Sequence, residues 1–209
     1  IFLDKFYKKD MHAVCDGKSK AFVLMCGIEG IDAVRVSGEA TSDGKNYGGH
    51  AWNKVLLDIQ GTGNKEWYFV DTTWGDVGTK GNKEFLSHAY FLLTDDEVKS
   101  THREKTGHGY PKAEGKFDYY AHETYTANGA EYNYVLTEGS TLAVQQIARA
   151  LKTLPKSTVA EFEFSYSLTT AAAQSYVREA MISAGRRGEQ FSYVIIRSNV
   201  LVIMIGDAV

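Results

Sequence analysis

Residues 48–76 read GGHAWNKVLLDIQGTGNKEWYFVDTTWGD. Two runs, HAWNKVLLDI and EWYFVDTTW, are rich in aromatic and aliphatic residues, and QGTGNK separates them. Runs of this composition, bounded by Gly and Asn, read as two strands of a hairpin. With the turn centred near residues 61–64, Asp71 falls opposite residues 50–54. His50 and Asp71 therefore share a neighbourhood across the pair. An aspartate on one imidazole nitrogen fixes the tautomer and steadies the imidazolium. The other nitrogen is then left to face a thiol.

Upstream, DAVRVSGEAT alternates and reads as a further strand, and SDGKNYGG reads as a loop. Before these lies AVCDGKSKAFVLMCGIEGI, residues 13–31. Ala21, Phe22, Leu24, Met25 and Cys26 form an apolar stripe at helical spacing, with Gly27 where a C-terminal cap is expected. The helix starts near Val14 to Gly17. Cys15 thus sits where unpaired backbone N–H groups and the positive end of the helix dipole favour a thiolate, the attacking form of cysteine. Its own N–H can help hold an oxyanion. Cys26 falls on the apolar stripe and reads as a buried hydrophobe. On one helix the two sulfur-bearing residues are about 16 Å apart, too far for a disulfide.

The three boxes AVCDGKSKAFVLMCGIEGI, GGHAWNKVLL and WYFVDTTWGD resemble the Cys, His and Asp boxes of the transglutaminase-like superfamily, particularly its bacterial members. The resemblance covers residues 13–76, and AYFLLTDDEV is similar to a segment that follows in bacterial relatives. It implies Cys15 as nucleophile, His50 as base and Asp71 as orienter. It also implies an α+β, papain-like core: a helix carrying the cysteine packed on an antiparallel sheet carrying the other two. Relatives have a substantial stretch before the cysteine box, whereas 14 residues precede Cys15 here. With Ile1 in place of a methionine, the expectation is a processed or trimmed chain whose catalytic domain is incomplete at its N-terminus.

Other residues near the boxes are weaker candidates. Trp52, Trp67 and Trp74 read first as core aromatics of the sheet. Trp52 and Trp74 are also candidates to line a cleft, and Tyr47, in the glycine-rich loop before His50, to reach substrate. Asn53 reads as a brace for His50 or its strand. His88, His102, His108 and His122 have spacings of 14, 6 and 14, which match no zinc motif, so they read as scattered surface residues. Asp95, Asp96 and Glu97 fit the first turn of a short helix better than a calcium loop. No metal and no cofactor is expected.

Residues 75–130 show little periodicity and read as irregular wrapping, apart from a short element near Tyr90 to Leu93. From residue 132 the order reads strand, helix (142–154), strand (159–166), helix (171–184) and two strands (191–197, 200–205) joined at Ser198-Asn199. Leu142, Ile147, Ala150, Leu151 and Leu154 are placed on one helix face. The expected organisation is a transglutaminase-like catalytic domain over 1–130 and a smaller C-terminal α/β domain over 131–209, of unassigned role.

Composition narrows the function classes. From residue 132 on there are 7 Lys/Arg against 6 Asp/Glu, leaving 16 against 20 before it. Neither part has the basic excess that nucleic-acid binding requires. No apolar run approaches the ~20 residues of a membrane span. The expected activity is thiol-dependent acyl transfer on a protein or peptide amide, leaning to hydrolysis by a peptidase or amidase. Protein crosslinking and a non-catalytic peptide- or glycan-binding scaffold are the alternatives. A secreted or cell-surface location is expected over a cytoplasmic one, and oligomeric state is not indicated.

Overall fold

The computed structural model describes residues 13–80, 83–137, 139–155 and 158–206. In chain order the elements are α1 (Cys15–Ile28), β1 (Ala33–Ala40), β2 (Gly48–Leu57), β3 (Glu66–Val70), β4 (Asp76–Lys80), β5 (Lys83–Leu86), β6 (Phe91–Leu93), α2 (Asp95–Val98) and β7 (His102–Glu104). There follow α3 (Tyr119–His122), β8 (Thr124–Ala127), β9 (Ala130–Asn133), β10 (Val135–Leu136), α4 (Ser140–Thr153), β11 (Thr158–Phe164), α5 (Thr170–Ser183), β12 (Phe191–Ile196) and β13 (Val200–Ile205). No described helix is long and apolar enough to cross a membrane. The fold is mixed α+β and divides into two compact units, Ile1–Gly75 with Tyr90–Phe117, and Asp76–Ala89 with Asp118–Val209.

The first unit is built on a five-stranded sheet of order β6-β3-β2-β1-β7, with every pair antiparallel. The hairpin read from the sequence forms β2 and β3, with Asn53 opposite Val70 and Val55 opposite Tyr68. Continuing that register by one residue sets Asp71 across from Trp52. Alternation sends His50, Trp52, Lys54 and Phe69 to one face, and Asn53, Val55, Tyr68 and Val70 to the other. The second face packs against α1: Cys26, Val55, Tyr68, Val70 and Leu92 are buried together, with Phe22 against them. Gly38, opposite His50 on β1, is required by crowding, because a Cβ there would lie 2.1 Å from Arg103 O and 2.6 Å from Trp52.

Helix α1 begins at Cys15 and runs through Gly27 to Ile28. The expected stop at Gly27 is displaced to Gly30, whose φ of 72° is the left-handed conformation that ends a helix. The stripe is also narrower than expected: Ser19 and Cys26 are buried, while Leu24 and Met25 are 66% and 54% exposed.

Residues 75–130 are more ordered than their weak periodicity suggested. They contain the hairpins β4–β5 and β8–β9, the edge strands β6 and β7, and two single-turn helices. Helix α2 holds Asp95, Asp96 and Glu97 in its first turn, with Thr94 and Glu97 forming a reciprocal capping box. Short strands of three or four residues carry too few alternations to announce themselves in sequence.

The second unit contains a sheet of order β10-β11-β13-β12, parallel at β10–β11 and otherwise antiparallel. Its core unites Ile147 and Leu151 of α4, Val177 and Ala180 of α5, and Phe162, Leu201 and Ile203 of the sheet. Leu142 does not join the buried face; it is 44% exposed, and Ala143 and Val144 point inward instead. A 14-residue helix at 100° per residue buries Ala143, Ile147, Ala150 and Leu151 on one stripe, and position 142 falls off it. The β12–β13 turn is centred on Arg197-Ser198, both at positive φ, one residue before the expected Ser198-Asn199. The unit starts at Asp118 and includes Asp76–Ala89, against an expected boundary at 130/131.

Candidate active site

His50 lies near the start of β2 and Asp71 just beyond the end of β3, so the hairpin delivers both to one end of the sheet. His50 Nε2 and Asp71 Oδ2 are 2.7 Å apart. The aspartate is held by its own turn. Its Oδ1 accepts the backbone N–H groups of Thr73 (2.8 Å) and Trp74 (3.0 Å), and its carbonyl accepts Gly75 N at 2.9 Å. The VDTTWG string therefore folds around the carboxylate it contains. Asp71 is 1% exposed. Burial works to raise its pKa, but the N–H groups of His102, His50 and the Trp74 backbone outweigh it and hold the carboxyl well below the usual range. An ionised Asp71 accepting from Nε2 puts the His50 proton on that nitrogen, which leaves the Nδ1 lone pair available as a base.

A third residue joins them. His102, on edge strand β7 opposite Ala40, brings its Nε2 to 3.1 Å from the same Oδ2 of Asp71. Its side chain is 1% exposed. The rings of Trp52, Phe69, Trp74 and Tyr90 surround it with centroids at 5.0, 4.9, 4.7 and 5.4 Å. The expectation of a surface histidine is thus corrected for His102. Nothing local marked it, since the contact arises from pairing between β1 and β7, 31 residues beyond Asp71. His50, Asp71 and His102 are the described residues that could hold a metal, with one ligand atom each and all three within 4.8 Å of one another. In this arrangement the Nε2 atom of each imidazole is spent on the carboxylate.

The aromatic candidates separate by burial. Trp52 is 1% exposed and packs below His50 and against His102, so it is a core residue and not a substrate contact. Trp74 is half-buried and lies 5.2 Å from the His50 ring and 5.1 Å from Tyr90, centroid to centroid. Tyr47 spends its hydroxyl on Ser100 O at 3.0 Å, and the Arg103 guanidinium covers its ring at 3.7 Å. It is anchored to the segment carrying His102.

Cys15 is the first residue of α1, half-buried, and Val14 caps the helix with no side-chain hydrogen bond. The first N–H groups of the helix therefore lack intrahelical partners. Asn53 fixes the helix to the sheet: its Nδ2, fully buried, donates to Ser19 O at 2.9 Å. Asp16 pairs with Arg35 of β1 at 2.5 Å. With Cys26 packed beside Val55 and Ser19 bonded to Asn53, the helix runs in the direction of β2, so Cys15 lies toward the end of the strand that carries His50. Asn53, which meets α1, and His50 lie on opposite faces of β2. Among the described residues Cys15 makes no hydrogen bond to His50. Cys26 is a free, buried thiol whose pKa burial pushes up.

Residues 3–72 match the sequence model of the family described as Transglutaminase-like superfamily. The matched segment takes in Cys15, His50 and Asp71. A search of curated proteins gave no match.

Proposed function

From a chain whose residues 3–72 are transglutaminase-like, a superfamily of thiol-dependent acyltransferase and peptidase kind, we propose a thiol acyl-transfer enzyme acting on amide bonds of a protein or peptide. The 2.7 Å contact between His50 Nε2 and Asp71 Oδ2 carries this reading, because it leaves Nδ1 as the basic atom. Cys15 is the nucleophile, His50 the base and Asp71 the orienter, on a papain-like pairing of helix and antiparallel sheet.

In the reaction, Nδ1 of His50 takes the proton from Cys15 Sγ, and the thiolate attacks the amide carbonyl carbon. Backbone N–H groups at the start of α1, including that of Cys15, stabilise the oxyanion. The tetrahedral species collapses as His50 returns its proton to the departing amine, leaving a thioester on Cys15. Water, deprotonated by His50, attacks the thioester, and the thiol is restored with release of the acid. Hydrolysis is the proposed outcome. Trp74, half-exposed over His50, is the proposed substrate contact.

The test is turnover of a fluorogenic peptide amide and of casein by the whole protein, with Cys15→Ala and His50→Ala as controls. Turnover that both substitutions abolish supports the reading. Incorporation of a dansylated amine without net hydrolysis moves the assignment to crosslinking, and no turnover with either acceptor removes it.

A further inference from the structure

The Oδ2 atom of Asp71 is shared by two histidines, and the proposed chemistry uses one of them. Resting on the reading above, the geometry points to His102 as a positioning residue for that site, holding Asp71 in the orientation that keeps the His50 proton on Nε2.

The hydrogen atoms can be assigned one by one. Asp71 Oδ1 is saturated by the N–H groups of Thr73 and Trp74, at 2.8 and 3.0 Å. Oδ2 has lone pairs for two donors and faces two imidazole nitrogens, at 2.7 and 3.1 Å. Each nitrogen must carry a proton, since a bare lone pair against a carboxylate is repulsive. Burial lowers the His102 pKa and, although Asp71 opposes that effect, the net direction is toward the neutral ring. A neutral His102 with its proton on Nε2 presents Nδ1 as an acceptor. Thr101 Oγ1 stands 2.9 Å from that Nδ1. Thr101 Oγ1 also lies 3.0 Å from Val98 O, so its one proton has two acceptors within reach, and a neutral His102 protonated on Nε2 draws it to Nδ1. The chain of donors then runs from Thr101 through His102 to Asp71.

The ring cannot turn away from this duty. Trp52, Phe69, Trp74 and Tyr90 close on it from all sides, and its backbone is paired to Ala40. The turn pins one carboxylate oxygen and His102 pins the other, so the plane of the carboxylate is fixed. His50 then meets a stationary acceptor. Without His102, Oδ2 has a single imidazole partner and the carboxylate is held from Oδ1 alone. The carboxylate can then turn about its Cβ–Cγ bond, which lengthens the His50 contact and weakens its hold on the Nε2–H tautomer.

The test is histidine ¹⁵N NMR on the full chain, which reads the His50 tautomer directly and requires no substrate. In the unsubstituted protein His50 is expected as a single Nε2–H form. His102→Phe is expected to convert it to an exchanging mixture and to slow Cys15 alkylation about tenfold, the loss of one charge-assisted hydrogen bond of about 1.4 kcal/mol. His102→Gln, whose amide N–H can replace the lost donor, is expected to restore both. Thr101→Val keeps the ring and its packing and is expected to move the His50 signals in the same direction as His102→Phe. It carries the test should His102→Phe fail to fold. An unchanged His50 tautomer in the folded variants overturns the proposal, as does a His102→Gln protein that behaves like His102→Phe. Absence of amide turnover with the NMR result intact would count against the proposed function and leave this assignment standing.

Discussion

Asn53 Nδ2 donates to the carbonyl oxygen of Ser19 across 2.9 Å, joining the strand that carries His50 to the helix that begins with Cys15. Both residues are 0% exposed. The bond fixes the position of α1 along β2, and with it where the thiol stands. Asn53→Ala leaves a buried carbonyl neighbour without its side-chain donor and opens a small hole. The expected cost is about 1–3 kcal/mol of unfolding free energy, read by urea denaturation. Because α1 is then less tightly registered, Cys15 alkylation is expected to slow in the folded variant.

Lys54, the next residue on the same strand, is fully buried. Its ammonium donates to Asp95 Oδ2 at 2.8 Å and to Pro111 O at 2.7 Å, and it also pairs with Glu104. It ties the segments after β6 back to the sheet. Lys54→Ala removes the cation these groups converge on; the Asp95 and Glu104 side chains are 37% and 34% exposed and can rehydrate in part, so the expected loss is about 1–3 kcal/mol, measured by the same denaturation. A loss under 1 kcal/mol would show the carboxylates rehydrating at no cost.

Acid is expected to destabilise the first unit in two stages. The His102 pKa is lowered on folding by burial, so below the unfolded value of about 6.5 the unfolded chain binds a proton that the folded one does not. The Asp71 pKa is also lowered on folding, by the histidine and backbone N–H groups that outweigh its burial. Its contribution is complete above an unfolded value of about 3.9 and is lost as pH falls toward the folded value. Urea midpoints measured from pH 7 downward should decline in both ranges. His102→Gln should flatten the upper decline and Asp71→Asn the lower one, and parallel curves for all three proteins would contradict this.

Chelation is expected to leave amide turnover and Cys15 alkylation unchanged, because the proposed chemistry uses a thiolate and backbone N–H groups. EDTA and EGTA treatment with assay before and after checks it. Activity lost to EGTA and restored by calcium alone would overturn it and favour crosslinking over hydrolysis.

The hairpin was legible because both strands are long, apolar and bounded by glycine, and a hairpin has few registers. That was enough to bring His50 to Asp71. Cys15 was legible through the helix pattern that follows it, although Gly27 proved to be interior and Gly30 the stop. His102 was not legible. Its place depends on a three-residue edge strand with no periodicity, and its role on a rotamer set by four aromatic rings from separate segments. The burial of Trp52 was half legible: alternation puts it on the face of His50, but only the crowding at Gly38 and His102 shows that no cleft opens there. In the second unit, hydrophobic periodicity located both helices and the last two strands to within a residue or two, and mislaid Leu142.

The central claim is that Cys15 is activated by His50, and alkylation measures it most directly. The whole protein should be treated with iodoacetamide at pH 6, and the labelling of Cys15 and Cys26 followed by peptide mass spectrometry. Cys15 is expected to react at least tenfold faster than the buried Cys26, and His50→Ala is expected to remove most of that advantage. Equal rates at the two cysteines, or a Cys15 rate that His50→Ala leaves unchanged in a folded protein, would contradict the account.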